Sequence, residues 1–205
     1  MAMNINHIKA FPTLITLVRS FLTTDQCQDI VEFARTRKFV QHPALHGSSV
    51  SSHGVDSAMI EMIDKNVPSC NNFKESTLRM LNEYGKELGI PLLDFTVSWI
   101  SFQYPGSTLN KHTHAGSIIS GALYLKTDDD SSHIYFSNPN PFTVLNNFVA
   151  QTEFSQQFAG IKPQTGDLII FPSWLSHGSN NEVNHSDERI VMSFNTIHLS
   201  SGDFL

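Results

Sequence analysis

The run Ser117–Leu125, SIISGALYL, constrains this chain most. It is apolar and reads as a buried strand. Directly before it stand His112 and His114, two residues apart. Extended backbone puts residues i and i+2 on one face, about 6–7 Å apart along the chain. Two imidazoles on one face can close on a single metal ion, and imidazole suits Zn, Cu, Fe and Ni. The bland reading stands beside this one, because a chain with 10 histidines yields close pairs by chance.

A second stretch extends the pattern. In Gly166–His177, GDLIIFPSWLSH, Gly166-Asp167 signals a turn and Leu168–Phe171 a short apolar strand. Pro172 has no N–H for a ladder, so the strand stops there. His177 follows the strand end, where functional loops sit. Arg189 then opens the run Arg189–Ile197, RIVMSFNTI. Alternation places Arg189, Val191, Ser193 and Asn195 on one face. If that face points inward, the guanidinium needs a partner, since a buried unpaired charge is very costly. A ligand carboxylate gripped bidentately would meet that need.

The order HxH, SGALYL, GDLIIFPSWLSH, RIVMSFN resembles the Fe(II)- and 2-oxoglutarate-dependent oxygenases, most of all their small bacterial and phage group. The resemblance covers about Trp99–Asn195. It implies a mainly β fold, a double-stranded β-helix (a cupin-like jelly roll) with N-terminal helices packed outside. It implies His112, His114 and His177 as iron ligands, and Arg189 on the far carboxylate of 2-oxoglutarate. Tyr124 is implied as a further co-substrate contact. Ser193 and Asn195, on the Arg189 face, read as further cofactor-binding groups inside the barrel. One departure stands out. The superfamily places Asp or Glu where this chain has His114, so the site is one unit more positive than a facial triad. No Asp or Glu lies between Asn110 and Lys126 to substitute. The implied activity is hydroxylation of a substrate C–H bond with release of succinate and CO2.

Charge and length bound the alternatives. At 205 residues the chain is expected to form one domain, 1–205, with a helical part to about residue 93 and a jelly-roll core at about 94–199. A net charge of −6 argues against a nucleic-acid partner held by a basic field. No apolar run approaches a membrane span, and the start MAMNINHIKAF has no apolar signal region. Cys27 and Cys70 form no disulfide framework and read as reduced, buried thiols, which predicts a cytoplasmic protein.

Within the helical part, Thr23 and Thr24 precede a stripe of Cys27, Ile30, Val31 and Ala34, which predicts a capped amphipathic helix. Ala58–Lys65 predicts a short helix, and Asn72–Leu88 a second amphipathic one ended by Gly89. Residues up to Ser20 predict an edge strand, with pairing across a homodimer as one use for it. Val40–Asp56 is a polar loop holding His42, His46 and His53, read as surface or as a lid. In the core, Asp94–Tyr104 predicts a strand with Phe95, Val97, Trp99 and Ser101 on one face. His133 reads as an ordinary strand histidine and Trp174 as a wall residue beside His177. Thr143–Ile161 carries little signal.

Three rivals share these residues. A three-histidine iron dioxygenase would oxidise its substrate without 2-oxoglutarate. A metal-binding jelly roll would do no redox chemistry. A structural protein would need no metal. A small molecule or a peptidyl group fits as the primary substrate under the leading reading.

Overall fold

The computed structural model describes residues 11–90, 92–145 and 150–199. The first ten positions of the N-terminal edge-strand expectation lie outside them, as do residues 146–149 of the Thr143–Ile161 stretch. The elements in order are β1 (Thr16–Val18), α1 (Thr24–Arg35), β2 (Leu45–His46), β3 (Val50–Ser51), α2 (Met59–Asn66) and α3 (Phe73–Glu87). They continue as β4 (Leu93–Gln103), β5 (Thr108–Leu109), β6 (Ile119–Lys126), β7 (Ile134–Ser137), α4 (Phe142–Leu145), β8 (Phe158–Ile161), β9 (Leu168–Pro172), β10 (His177–Gly178) and β11 (Arg189–His198).

The large sheet runs β1-β9-β6-β11-β4-β3, and the small sheet β10-β7-β8. Period-2 alternation sorts the central strands between two cores. From β6, β9 and β11, the residues Leu123, Leu125, Leu168, Ile170, Ile190, Met192 and Phe194 join the helices in one cluster. Ala122, Tyr124, Ile169, Phe171 and Val191 turn the other way, onto Ile134 and Phe136 of the small sheet. Strands buried on both faces read as continuous apolar runs, and this accounts for SGALYL and LIIF. The fold is the mainly β jelly roll with helices outside it.

Local chemistry explains the helices. Thr23 caps α1 in a reciprocal capping box with Gln26, and its buried stripe is Cys27, Ile30, Val31 and Ala34. Gly89 follows α3 with φ 66°, a backbone that favours glycine. Among the described residues, β1 lies at the sheet edge, paired to β9.

One expectation is corrected. The face Phe95–Val97–Trp99–Ser101 breaks at a bulge: Asn195 faces Val97 and Thr196 faces Phe95, so Thr96 is skipped. Phe95 therefore turns to the helical core, against Phe194, while Trp99 and Ser101 stay on the inner face. The HxH segment precedes β6, as its place before the apolar run implies.

Candidate metal centre

Backbone bonds bring the histidines together. His112 and His177 exchange both N–H···O bonds, at 2.9 and 3.0 Å, and His114 N–H donates to Ser173 O at 2.9 Å. The HxH segment is thus tied along the β9–β10 connection. Gly178 permits the close approach, because a Cβ there would lie 2.9 Å from the backbone oxygens of Leu109 and Asn110.

The three imidazoles offer ligand atoms that all lie within 4.8 Å of one another. His112 Nε2 and His114 Nε2 are 3.1 Å apart. The other nitrogen of each ring is already engaged. His112 Nδ1 donates to Asn110 O at 2.8 Å and His177 Nδ1 to Leu175 O at 2.9 Å. His114 Nδ1 lies 2.6 Å from Asn195 Oδ1 and 2.7 Å from Ser120 Oγ. A ring that donates through Nδ1 keeps its Nε2 lone pair, the metal-binding tautomer. Lone pairs facing each other at 3.1 Å repel unless a cation lies between them, so the residues fit a metal ion. Burial, reinforced by His112, lowers His114 to a pKa of about 4 and His177 to about 3, so both are neutral ligands at neutral pH.

At the far end of the same cavity lies Arg189, 4% exposed. It opens β11 opposite Gln103 and donates from Nη1 to Gln103 Oε1 at 2.7 Å. Its guanidinium carbon is 5.0 Å from the centre of the Tyr124 ring. Its buried Nε has no hydrogen-bond partner. Burial disfavours the charged form of both, lowering Arg189 and raising Tyr124, while each opposes the other's shift. No carboxylate among the described residues forms an ion pair with Arg189. An orphaned guanidinium N–H, neutralised by no protein acid, fits an incoming carboxylate.

The structure gathers His112, His114, His177, Tyr124, Arg189 and Ser193 around one cavity. Asn195 stands behind His114. Sequence reasoning missed Gln103, although the alternation Trp99, Ser101, Gln103 on β4 carried the signal. The 40–56 loop, read as surface or as a lid, brings His42, Ala44 and Leu45 to the cavity. The His42 and His53 rings meet edge to face at 5.1 Å, and His53 meets Trp99 at 4.9 Å, with His42 and Trp99 on the cavity wall. His46 points elsewhere, onto Asn110 Oδ1. His133 is no bystander: it lines the cavity and holds Glu182, Nδ1 to Oε1 at 3.0 Å. Trp174 is not on this wall, being 58% exposed and part of a separate surface groove.

Residues 97–195 match the family described as "Putative 2OG-Fe(II) oxygenase". No curated protein matches the chain in sequence. Among solved structures, a Pseudomonas putida prolyl-4-hydroxylase superposes with a TM-score of 0.64 at 14% identity, over 92% of this chain and 94% of that one. A collagen prolyl hydroxylase of Paramecium bursaria Chlorella virus-1, in complex with 2OG, gives 0.58 at 17% identity, over 89% and 94%. HygX from Streptomyces hygroscopicus, with nickel and 2-oxoglutarate bound, gives 0.60 at 10% identity, over 90% and 82%.

Proposed function

We propose that this chain is a 2OG-Fe(II) oxygenase, the family whose model matches residues 97–195, and that His112, His114 and His177 hold the iron of a dioxygenase that hydroxylates a substrate C–H bond. One observation carries the reading: a convergent set of imidazole nitrogens shares a cavity with a buried arginine whose Nε is unpartnered. Bound there, Fe(II) would activate dioxygen, the oxidant, with 2-oxoglutarate giving two electrons and leaving as succinate and CO2 and the substrate C–H bond giving the other two.

The chain's own residues bind, orient and exclude water. Gln103 takes one Arg189 N–H, while the unpartnered Nε is left to donate to the far carboxylate of 2-oxoglutarate. Tyr124 packs against that guanidinium and fixes its plane. Leu109, Phe171 and Val191 make the cavity walls apolar between its two ends. Ser193 faces the cavity midway and serves as a polar contact there.

The primary substrate enters beside His42 and Trp99, at the metal end. A small molecule or a peptidyl group suits that mouth. The neighbouring folds include HygX with hygromycin B bound and a prolyl hydroxylase from Trichoplax adhaerens bound to a peptide fragment. We take the chain as a single domain whose helical part, to about residue 93, buttresses the core. The free, buried Cys27 and Cys70 accord with a cytoplasmic setting. The exposed edge of β1 would serve a homodimer.

The test is anaerobic titration of Fe(II)-loaded protein with 2-oxoglutarate, following the visible absorption of the metal–keto-acid chelate. The band is expected in the wild type, absent in His177→Ala, and to need at least tenfold more 2-oxoglutarate in Arg189→Ala. Bound iron with no band would remove 2-oxoglutarate and leave the three-histidine dioxygenase that acts on its substrate directly.

A further inference from the structure

His114 differs from the other two histidines in what holds it. His112 and His177 give their Nδ1 protons to main-chain carbonyls, which can only accept. Those two rings are therefore locked with Nε2 free. His114 Nδ1 instead meets two side chains, Asn195 Oδ1 at 2.6 Å and Ser120 Oγ at 2.7 Å. A serine hydroxyl donates or accepts with equal ease. With Ser120 alone, His114 could carry its proton on Nε2 and give it to His112 Nε2, 3.1 Å away. That tautomer would cap the lone pairs a metal needs.

The neighbouring bonds decide between the two. Ser120 Oγ donates to Asn195 Oδ1 at 2.8 Å and stands 2.7 Å from Ser173 Oγ. Its one proton is thereby spent on Asn195, so it receives from Ser173 and has none left for His114. Asn195 Oδ1 is then the acceptor that obliges His114 to donate through Nδ1. Asn195 and Ser120 are both buried, so water does not take over the task.

We propose that Asn195, oriented by Ser120 and Ser173, is a positioning residue that holds His114 in the Nε2-ligating tautomer, which is how an imidazole serves in place of a carboxylate. A carboxylate ligand needs no tautomer; an imidazole at that position needs an acceptor behind it. The proposal rests on the reading of the triad as a metal centre. It assigns Asn195 to the metal ligand rather than to 2-oxoglutarate.

Zn(II) serves as a diamagnetic probe, with affinity read by chelator competition. Asn195→Leu, similar in volume and lacking the acceptor, is expected to bind Zn(II) 10–100-fold more weakly than wild type. Asn195→Asp keeps the acceptor and is expected to bind within threefold of wild type or more tightly. A merely structural role predicts that both variants weaken alike, and that result would overturn the proposal. So would an Asn195→Leu affinity within threefold of wild type. A second measurement needs no variant: in the Zn(II)-loaded wild type, the His114 Nδ1 proton should give a downfield NMR signal protected from solvent exchange. Its absence would also overturn the proposal. A wild type that binds no Zn(II) would instead overturn the metal-centre reading itself.

Discussion

His114 is where a single side chain sets the electrostatics of the site. His114→Asp would restore a carboxylate and lower the local charge by one unit. An opposite charge removed near a dianion weakens its binding, so 2-oxoglutarate should need roughly tenfold more to saturate. The anaerobic chelate titration measures this directly. Equal or tighter binding would mean that the third imidazole is not tuned to the co-substrate's charge. Gly178 acts by size alone. Gly178→Ala would press a methyl onto the backbone oxygens of Leu109 and Asn110. Asn110 O is the acceptor that orients His112. Metal affinity is therefore expected to fall about tenfold, with about 1–3 kcal/mol lost in stability. Chelator competition and thermal unfolding read the two effects separately.

At the scale of elements, the site depends on how α1 is fastened to the sheet. Glu188, directly before Arg189, accepts from Arg35 of α1 at 2.6 Å and from Lys126 of β6 at 3.1 Å. Burial pushes its carboxyl up, but the bonds to Arg35 and Lys126 outweigh this and leave it below its ordinary value. A depressed carboxylate stabilises the fold above its unfolded pKa, near 4.3. That stabilisation is lost as pH falls through the folded value. Both partners are about half exposed, so screening limits the clip to about 0.5–1 kcal/mol. Glu188→Gln should lower the unfolding midpoint by about 1–4 °C at pH 7, and by progressively less as the pH falls below the unfolded value. A loss that does not change with pH would assign the effect to packing. These elements were unequally legible. The Thr23 cap and the Cys27–Ala34 stripe wrote α1 plainly, because both signals are local. The bulge at Thr96 was hidden, since it is a mismatch of register with Asn195–Thr196 and exists only once β4 and β11 pair. The described residues of the 143–161 stretch carry two short elements, the end of α4 and β8, with no periodicity long enough to read.

Across the whole molecule, the ligand atoms come from segments far apart in sequence, and only the jelly-roll closure joins them. The order of motifs and the period of two placed Tyr124 and Arg189 on their strands, and His112, His114 and His177 beside strand ends. Neither could show that Gln103 would meet Arg189, or that His42 and His53 would fold back toward Trp99. Those contacts depend on β3 pairing with β4 and on the antiparallel match of β4 with β11. The chain carries 19 acidic residues, yet none of those among the described residues lines the cavity. The net charge of −6 therefore sits on other surfaces, and the cavity keeps a field suited to anions. A bound ion would link the HxH segment, ahead of β6, to β10 of the small sheet, so metal should stabilise the fold as a unit. Metal at 100 times its Kd adds about 2.7 kcal/mol to the native state. For a chain of this size that is roughly 5–10 °C in the unfolding midpoint. Scanning calorimetry with and without Fe(II) under anaerobic conditions should show this rise in the wild type and none in His177→Ala. A rise that survives His177→Ala would place the ion elsewhere in the molecule, and the three-histidine centre would then have no claim on it.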